Sequence, residues 1–297
     1  MKRTLLAAKL LVLPGVYSVL AFTDDLGLHT QGGDNMSSKM SMHRVNGVEL
    51  NVLDTGDGSP TLIFLHYWGG SIRSWEPVIR DLSKDQRCIA IDFRGWGKSS
   101  RDAKDYDVGT LADDVAAIIH KLGPKKFVIL GHSMGGKVAQ LVASTHPEGL
   151  QQLILMAPAP PQPLEVPTEQ RRAMAASYET REGVMGIIAK LPLSQADREQ
   201  IVDDALSGAP AAKRAWPEHG MAMDIREQAS RIDVPVNIIV GSADVVETEA
   251  ALREEFGKVL PSTEFTVLSG VSHMAPLEAT SQVVDAIRSA LTTEPRR

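Results

Sequence analysis

At 297 residues with 43% hydrophobic side chains, the chain can fill the core of one large domain, which excludes a wholly unfolded polymer. With 31 Lys and Arg against 37 Asp and Glu, it carries a formal charge of −6 and no basic stripe, which argues against nucleic acid as a partner. The single cysteine excludes an internal disulfide, and Cys88 reads as a buried strand residue within Cys88-Ile89-Ala90-Ile91.

Residues 1–42 read as a leader, flexible or a signal peptide. Lys2 and Arg3 precede a mostly apolar stretch that Lys9 splits and Pro14-Gly15 breaks, so a stable membrane span is not expected. Two readings stand side by side. Either Val19-Leu20-Ala21 marks a signal-peptide cleavage site and the protein is exported, or the chain starts at Met36, Met40 or Met42 and is cytoplasmic. From Val45 onward, strand and helix patterns alternate, which predicts a doubly wound, mostly parallel α/β sheet. Strands are expected at residues 48–53, 61–65, 87–91, 126–130 and 150–156, with helices at 74–82, 108–122 and from 134 towards His146. The rhythm stops at Ala157-Pro158-Ala159-Pro160-Pro161-Gln162-Pro163, because prolines remove donors and fix the backbone. Only helix-like patterns occur beyond it until a strand returns at 234–240. The expected organisation is therefore a core of residues 43–158 and 232–297, interrupted by a helical insertion at 159–231. A helix at 248–260, a strand at 264–268 and a helix at 275–291 complete it.

Gly131-His132-Ser133-Met134-Gly135 fits G-x-S-x-G between an apolar strand and a helix, the context in which the motif presents a nucleophile on a sharp turn. A serine hydroxyl needs an adjacent base. Of the eight histidines, His273 alone follows the last strand and precedes the last helix, whereas His132 adjoins the serine and should point away from it. An acid must then hold the imidazole in its working tautomer. Asp244, in Gly241-Ser242-Ala243-Asp244, lies past a strand at the same carboxyl edge of the sheet, with Glu247 as runner-up. The N–H of Met134 and, from the loop His66-Tyr67-Trp68-Gly69-Gly70, the N–H of Trp68 are the candidate oxyanion donors. Tyr67 and Trp216 are candidate substrate contacts. Met174, Met185, Met221 and Met223 add adaptable apolar volume in the insertion. No cofactor is expected, and no histidine pairs with carboxylates or cysteines at metal-ligand spacing.

From Val45 onward the chain resembles the α/β-hydrolase superfamily. The resemblance rests on His66 to Gly70, Asp92-Phe93-Arg94-Gly95-Trp96-Gly97-Lys98-Ser99, Gly131 to Gly136, Asp244 and Gly270 to His273. It implies a triad of Ser133, Asp244 and His273, with the 159–231 insertion as a lid. One departure is that members commonly carry His-Gly in the oxyanion loop, where Tyr67 stands here. The Asp92 to Ser99 segment reads as a structural loop. The leading expectation is cleavage of a small carboxylic ester or lactone through an acyl-enzyme. Perhydrolase or haloperoxidase-like, amidase and C–C hydrolase chemistry use the same triad, and a non-catalytic receptor for small molecules is the alternative of a different class.

Overall fold

Strands that are apolar on both of their alternating faces take the centre of the sheet, because each face must meet a covering layer. In a computed structural model, which describes residues 39–292, these are β3 (Thr61–Leu65), β4 (Cys88–Ile91), β5 (Phe127–His132), β6 (Leu150–Met156) and β7 (Val236–Gly241). Together with β1 (Lys39–Val45), β2 (Val48–Thr55) and β8 (Glu264–Leu268), they form one sheet among the described residues, in the order β1-β2-β4-β3-β5-β6-β7-β8. The β1–β2 and β2–β4 pairs are antiparallel, and the remaining pairs are parallel.

Alternation along the central strands divides the core into two layers. Ile63, Leu65, Phe127 and Ile129 pack with α2 (Val108–Leu122) and α3 (Met134–Ala143). Leu62, Phe64, Val128 and Leu130 pack with α1 (Glu76–Leu82) and α11 (Thr280–Thr292) on the other face. Fully burying one such side chain stabilises the fold by roughly 1.5–3 kcal/mol. Because parallel strands all end on the same side, the loops after β3, β5, β7 and β8 share one edge.

Between β6 and β7 the chain is helical: α4 (Thr168–Ser177), α5 (Arg181–Ile188), α6 (Gln195–Ser207), α7 (Pro210–Glu218) and α8 (Arg226–Ala229). Its two ends are bonded to each other. Leu164 N–H donates to the Met221 carbonyl at 2.7 Å, and Ile225 N–H to that of Pro161 at 2.8 Å. Lys137 of α3 is buried beneath this neck and donates to the carbonyls of Gln162 at 3.2 Å and Met223 at 2.6 Å. Burial lowers its pKa to about 8, against the raising effect of Asp224 and Glu247. After β7 come α9 (Glu249–Gly257) and, beyond β8, the short α10 (Ala275–Glu278). Among the described residues, no helix is long and apolar enough to cross a membrane.

The strand β1 corrects the sequence reading, which assigns residues 39–42 to the leader. It pairs with β2 from Lys39 opposite Asp54 to Val45 opposite Val48, about an Asn46-Gly47 turn with φ of 45° and 79°. Asn-Gly between two extended segments is itself a strong hairpin signal. The strand preceding it is mostly exposed, with Met40 and Met42 facing solvent, so burial patterning does not reveal it. The signal-peptide reading, the Met36 start and the rest of the leader lie outside the described residues. Starts at Met40 or Met42 would shorten β1. A chain starting at His43 loses four of the seven β1–β2 register pairs. It should unfold about 1–3 kcal/mol more easily than one starting at Met36, as measured by urea titration.

Candidate active site

The passage from β5 into α3 happens within one residue. Ser133 stands at φ 53° and ψ −117°, a conformation that side chains other than glycine's rarely adopt. The surroundings hold it there from both sides: its N–H donates to the Met156 carbonyl at 3.0 Å, and its own carbonyl accepts from Gly136 at 2.8 Å and Ala159 at 3.0 Å. The turn also brings backbones too close for a side chain. A Cβ on Gly131 would fall 2.4 Å from the Gly135 carbonyl oxygen, and one on Gly135 would fall 2.5 Å from that of His66. The serine is thereby presented ahead of the α3 N-terminus, where free N–H groups favour developing negative charge.

His273 and Asp244 meet across the loops after β8 and β7. The imidazole Nδ1 lies 2.8 Å from Asp244 Oδ2, with the carboxylate fully buried and the imidazole nearly so. Asp244 Oδ1 accepts from the backbone N–H groups of Val246 at 2.8 Å and Glu247 at 3.0 Å. Burial pushes the Asp244 carboxyl up, but His273 and these two donors outweigh it and leave its pKa below the ordinary value. With Nδ1 committed to Asp244, Nε2 is the ring atom left for the serine. Among the described residues, no hydrogen bond involves Nε2 or the Ser133 hydroxyl, so none joins the two to each other. The runner-up acid, Glu247, reaches Asp244 only through its N–H, and no hydrogen bond joins its carboxyl to His273. Burial and the charge of Asp244 raise its pKa to about 8, against the lowering effect of Lys137.

Several residues that the sequence analysis gives no role hold this pair. Glu278 of α10 accepts from the backbone N–H of Ser272 at 2.8 Å and of Met274 at 2.9 Å, and so grips the chain on both sides of His273. His132 Nε2–H donates to the His273 carbonyl at 2.8 Å. Its ring is fully buried, and that burial, together with His273, lowers its pKa to about 3, so it is neutral. Its ring packs beside those of Tyr67, Trp75 and His273.

The loop after β3 carries the other candidate donor. The Tyr67 carbonyl accepts from His66 Nδ1–H at 2.7 Å and Gly70 N–H at 3.0 Å, while His66 Nε2 accepts from Phe93 N–H at 3.0 Å. Burial lowers the pKa of His66, so its neutral tautomer is fixed by these two partners. A trans peptide sets C=O and N–H in opposite directions. Pinning the Tyr67 carbonyl therefore aims the Trp68 N–H of the same peptide away from His66. Neither that N–H nor the N–H of Met134 donates to any group among the described residues, although both residues are buried. The first N–H groups of a helix have no intrahelical acceptor, so that of Met134 at the start of α3 is free for an acceptor from outside the helix, and the Trp68 N–H is likewise unpaired.

A family profile described as alpha/beta hydrolase fold matches residues 60–200. The non-heme chloroperoxidase of Streptomyces lividans is 31% identical over 240 residues, spanning 73% of this chain and 86% of that protein. The chain belongs to the alpha/beta hydrolase family. The pimeloyl-[acyl-carrier protein] methyl ester esterase of Aeromonas salmonicida is 28% identical over 249 residues, 77% of this chain and 94% of that one. In fold alone, an esterase from Exiguobacterium antarcticum matches with a TM-score of 0.78 at 20% identity, covering 86% of this chain and 100% of that one.

Within this alpha/beta hydrolase, the residue departing from the family pattern, Tyr67, lays its ring 5.3 Å from that of His132 and is buried. Trp216 of α7 packs against Gly220, and no hydrogen bond or ring contact joins it to Ser133, His273 or Asp244. Asp92 anchors its loop structurally, accepting from Asn51 Nδ2 at 2.8 Å, Ile72 N–H at 2.7 Å and Lys98 N–H at 2.9 Å. Among the described residues, no group of three or more His, Cys, Asp or Glu is arranged to hold a metal ion.

Glu247 yields a signed prediction. Its folded pKa of about 8 lies above the ordinary carboxyl value, so between about pH 5 and 8 the folded state binds the extra proton and stability falls as pH rises. Glu247→Gln mimics the protonated form. Its melting temperature should gain on the wild type steadily from pH 5 to 8, with catalysis retained, as read by thermal melts across that range.

Proposed function

We propose that the chain is a serine hydrolase that cleaves a small carboxylic ester or lactone through an acyl-enzyme. The observation that supports this most directly is the 2.8 Å bond from His273 Nδ1 to a buried Asp244, on the same sheet edge as the strained Ser133 turn. Ser133 Oγ attacks the carbonyl carbon while its proton passes to His273 Nε2, and Asp244 stabilises the imidazolium. The carbonyl electrons move onto oxygen, where the N–H groups of Trp68 and Met134 receive the oxyanion. Collapse breaks the bond to the alcohol oxygen, which takes the proton from Nε2. Water, deprotonated by His273, then attacks the acyl-enzyme, releasing the acid and restoring Ser133. No cofactor enters any of these steps.

The helical insertion at 159–231 is read as the lid over this site, and its apolar residues as the source of substrate preference. A second reading draws on the similarity to the Streptomyces chloroperoxidase. On that reading, hydrogen peroxide would replace water as the acceptor in this chain and the acyl-enzyme would yield a peroxyacid.

A panel of p-nitrophenyl esters of graded length, with lactones and amides beside it, tests the proposal. Ser133→Ala should remove nearly all turnover in a folded protein, and a serine-directed phosphonate should label Ser133 alone. Asp244→Asn should cost roughly 10⁴-fold in kcat, by analogy with a serine triad so altered. A larger loss in Glu247→Gln would reassign the acid. Ester turnover that survives Ser133→Ala would end the proposal, and peroxyacid formation exceeding hydrolysis would favour the second reading.

A further inference from the structure

We propose that the helical insertion positions the oxyanion loop, with Tyr178 and Asp204 as the positioning residues, so that the Trp68 N–H is correctly placed only while the insertion is seated. The proposal rests on the reading of Trp68 N–H as an oxyanion donor. The core holds the entry of that loop through His66 and the Tyr67 carbonyl, and its exit turn through Asp92, which accepts from Ile72 N–H at 2.7 Å. The insertion adds two separate ties on the stretch between them.

The first point is Tyr178, at the end of α4. Its ring stacks on that of Trp68, with centroids 3.7 Å apart and planes 20° from parallel. Its hydroxyl donates to the Trp68 carbonyl at 3.3 Å. The same ring lies so close over Gly69 that a Cβ there would fall 2.1 Å from Tyr178 Cε1, and Gly69 has φ +86°. The loop thus surrenders its side chain at 69 to admit the tyrosine. The second point is Asp204 of α6. Its buried carboxylate accepts from the Ser71 hydroxyl at 2.9 Å and from Arg73 Nη1 at 2.9 Å. Ser71 in turn caps the helical turn Ile72–Ser74, its Oγ accepting from Arg73 N–H at 3.2 Å. Residues on both sides of Gly70 are therefore tied to the insertion.

This arrangement differs from simple docking of one apolar layer on another. The contacts fall on the main chain of the loop, on a carbonyl and on the cap of its exit turn. An oxyanion donor acts only if its N–H both points at the developing charge and lies close to it; the pinned Tyr67 carbonyl sets the direction, while adjacent glycines at 69 and 70 leave the position of the loop to whatever else grips it. Displacing such a group by about 1 Å can cost about 10²-fold in rate. Loss of either tie should accordingly weaken binding of the tetrahedral state more than binding of the ground state.

The test uses Tyr178→Leu and Asp204→Ala, with Tyr178→Phe and Asp204→Asn as conservative partners, in the full chain. Active sites are counted by phosphonate titration. The kcat and KM are then measured per titrated site on the best p-nitrophenyl ester, beside the inhibition constant of a trifluoromethyl ketone with the same acyl group, which forms a tetrahedral adduct on the serine. Tyr178→Leu and Asp204→Ala should each lower kcat about 10- to 100-fold, with KM within about threefold, and weaken the ketone by a parallel factor. Tyr178→Phe, which keeps the stack, should recover most of the rate. Asp204→Asn, which keeps one acceptor, should fall between. Unchanged kcat and ketone affinity in all four variants would overturn the proposal. So would a rise in KM at constant kcat, or fewer titrated sites with normal turnover per site. A wild-type chain that neither turns over esters nor takes the phosphonate would instead overturn the function reading itself.

Discussion

The chain has to pass from strand to helix within one residue, and this leaves Ser133 at φ 53° with no room for side chains at positions 131 and 135. Much of the site is organised around keeping that residue where it would not otherwise stay. The end of β6 supplies the carbonyl of Met156 to its N–H, and the chain beyond β6 supplies the N–H of Ala159 to its carbonyl. The close fit of Gly135 against the carbonyls of Leu65 and His66 sets the α3 N-terminus against the loop that bears Trp68. The geometry that strains the serine thus also seats the α3 N-terminus close against the start of the loop that bears the second candidate donor. A larger residue at 135 would push them apart even if the turn survived.

Charge is confined with equal care. Two ionisable groups close to the His273–Asp244 pair are kept neutral by burial: His132 through a lowered pKa and Glu247 through a raised one. A second imidazolium would repel the proton that His273 must accept, and a second carboxylate would compete for its Nδ1–H. With those groups silent, Asp244 keeps its negative charge directed at one ring. The backbone around His273 is fixed by polar groups that do not carry protons in the reaction, the Glu278 carboxylate and the neutral His132. Orientation and proton transfer are therefore assigned to different side chains.

Features governed by local chain geometry are legible in the sequence. The elbow glycines, the buried runs of β3 to β7, the proline break at 158–163 and the helical character of the insertion all leave marks within a few residues. The pairing of Asp244 with His273 is legible because strand direction places Asp244 just past the carboxyl tip of β7. The features that escape depend on distant partners. Glu278 looks like any helix residue until Ser272 and Met274 are seen to donate to it, and Tyr178 and Asp204 sit in helices whose weak patterning gives no sign of a loop more than 100 residues earlier. The edge strand β1 escapes for the opposite reason: it buries little, so alternation carries no signal, and only Asn46-Gly47 marks it. Trp216 stands out in the insertion by its size, and size says nothing of direction.

The neck beneath the insertion has a consequence of another kind. Its two limbs are joined by backbone bonds between residues 161 and 225 and between 164 and 221, and Lys137 grips a carbonyl on each limb. Strands β6 and β7, which it separates in the chain, are direct neighbours in the sheet. The intervening helices are therefore a loop closed at its base, and backbone carbonyls accept from Lys137 whatever side chains their residues bear. Such a segment can be exchanged between related scaffolds, lengthened or redrawn while the sheet beneath keeps its register. In this chain the exchange would be modular at the base but not at the tip, where any replacement has to supply its own substitutes for the aromatic ring over Gly69 and the carboxylate beside Ser71.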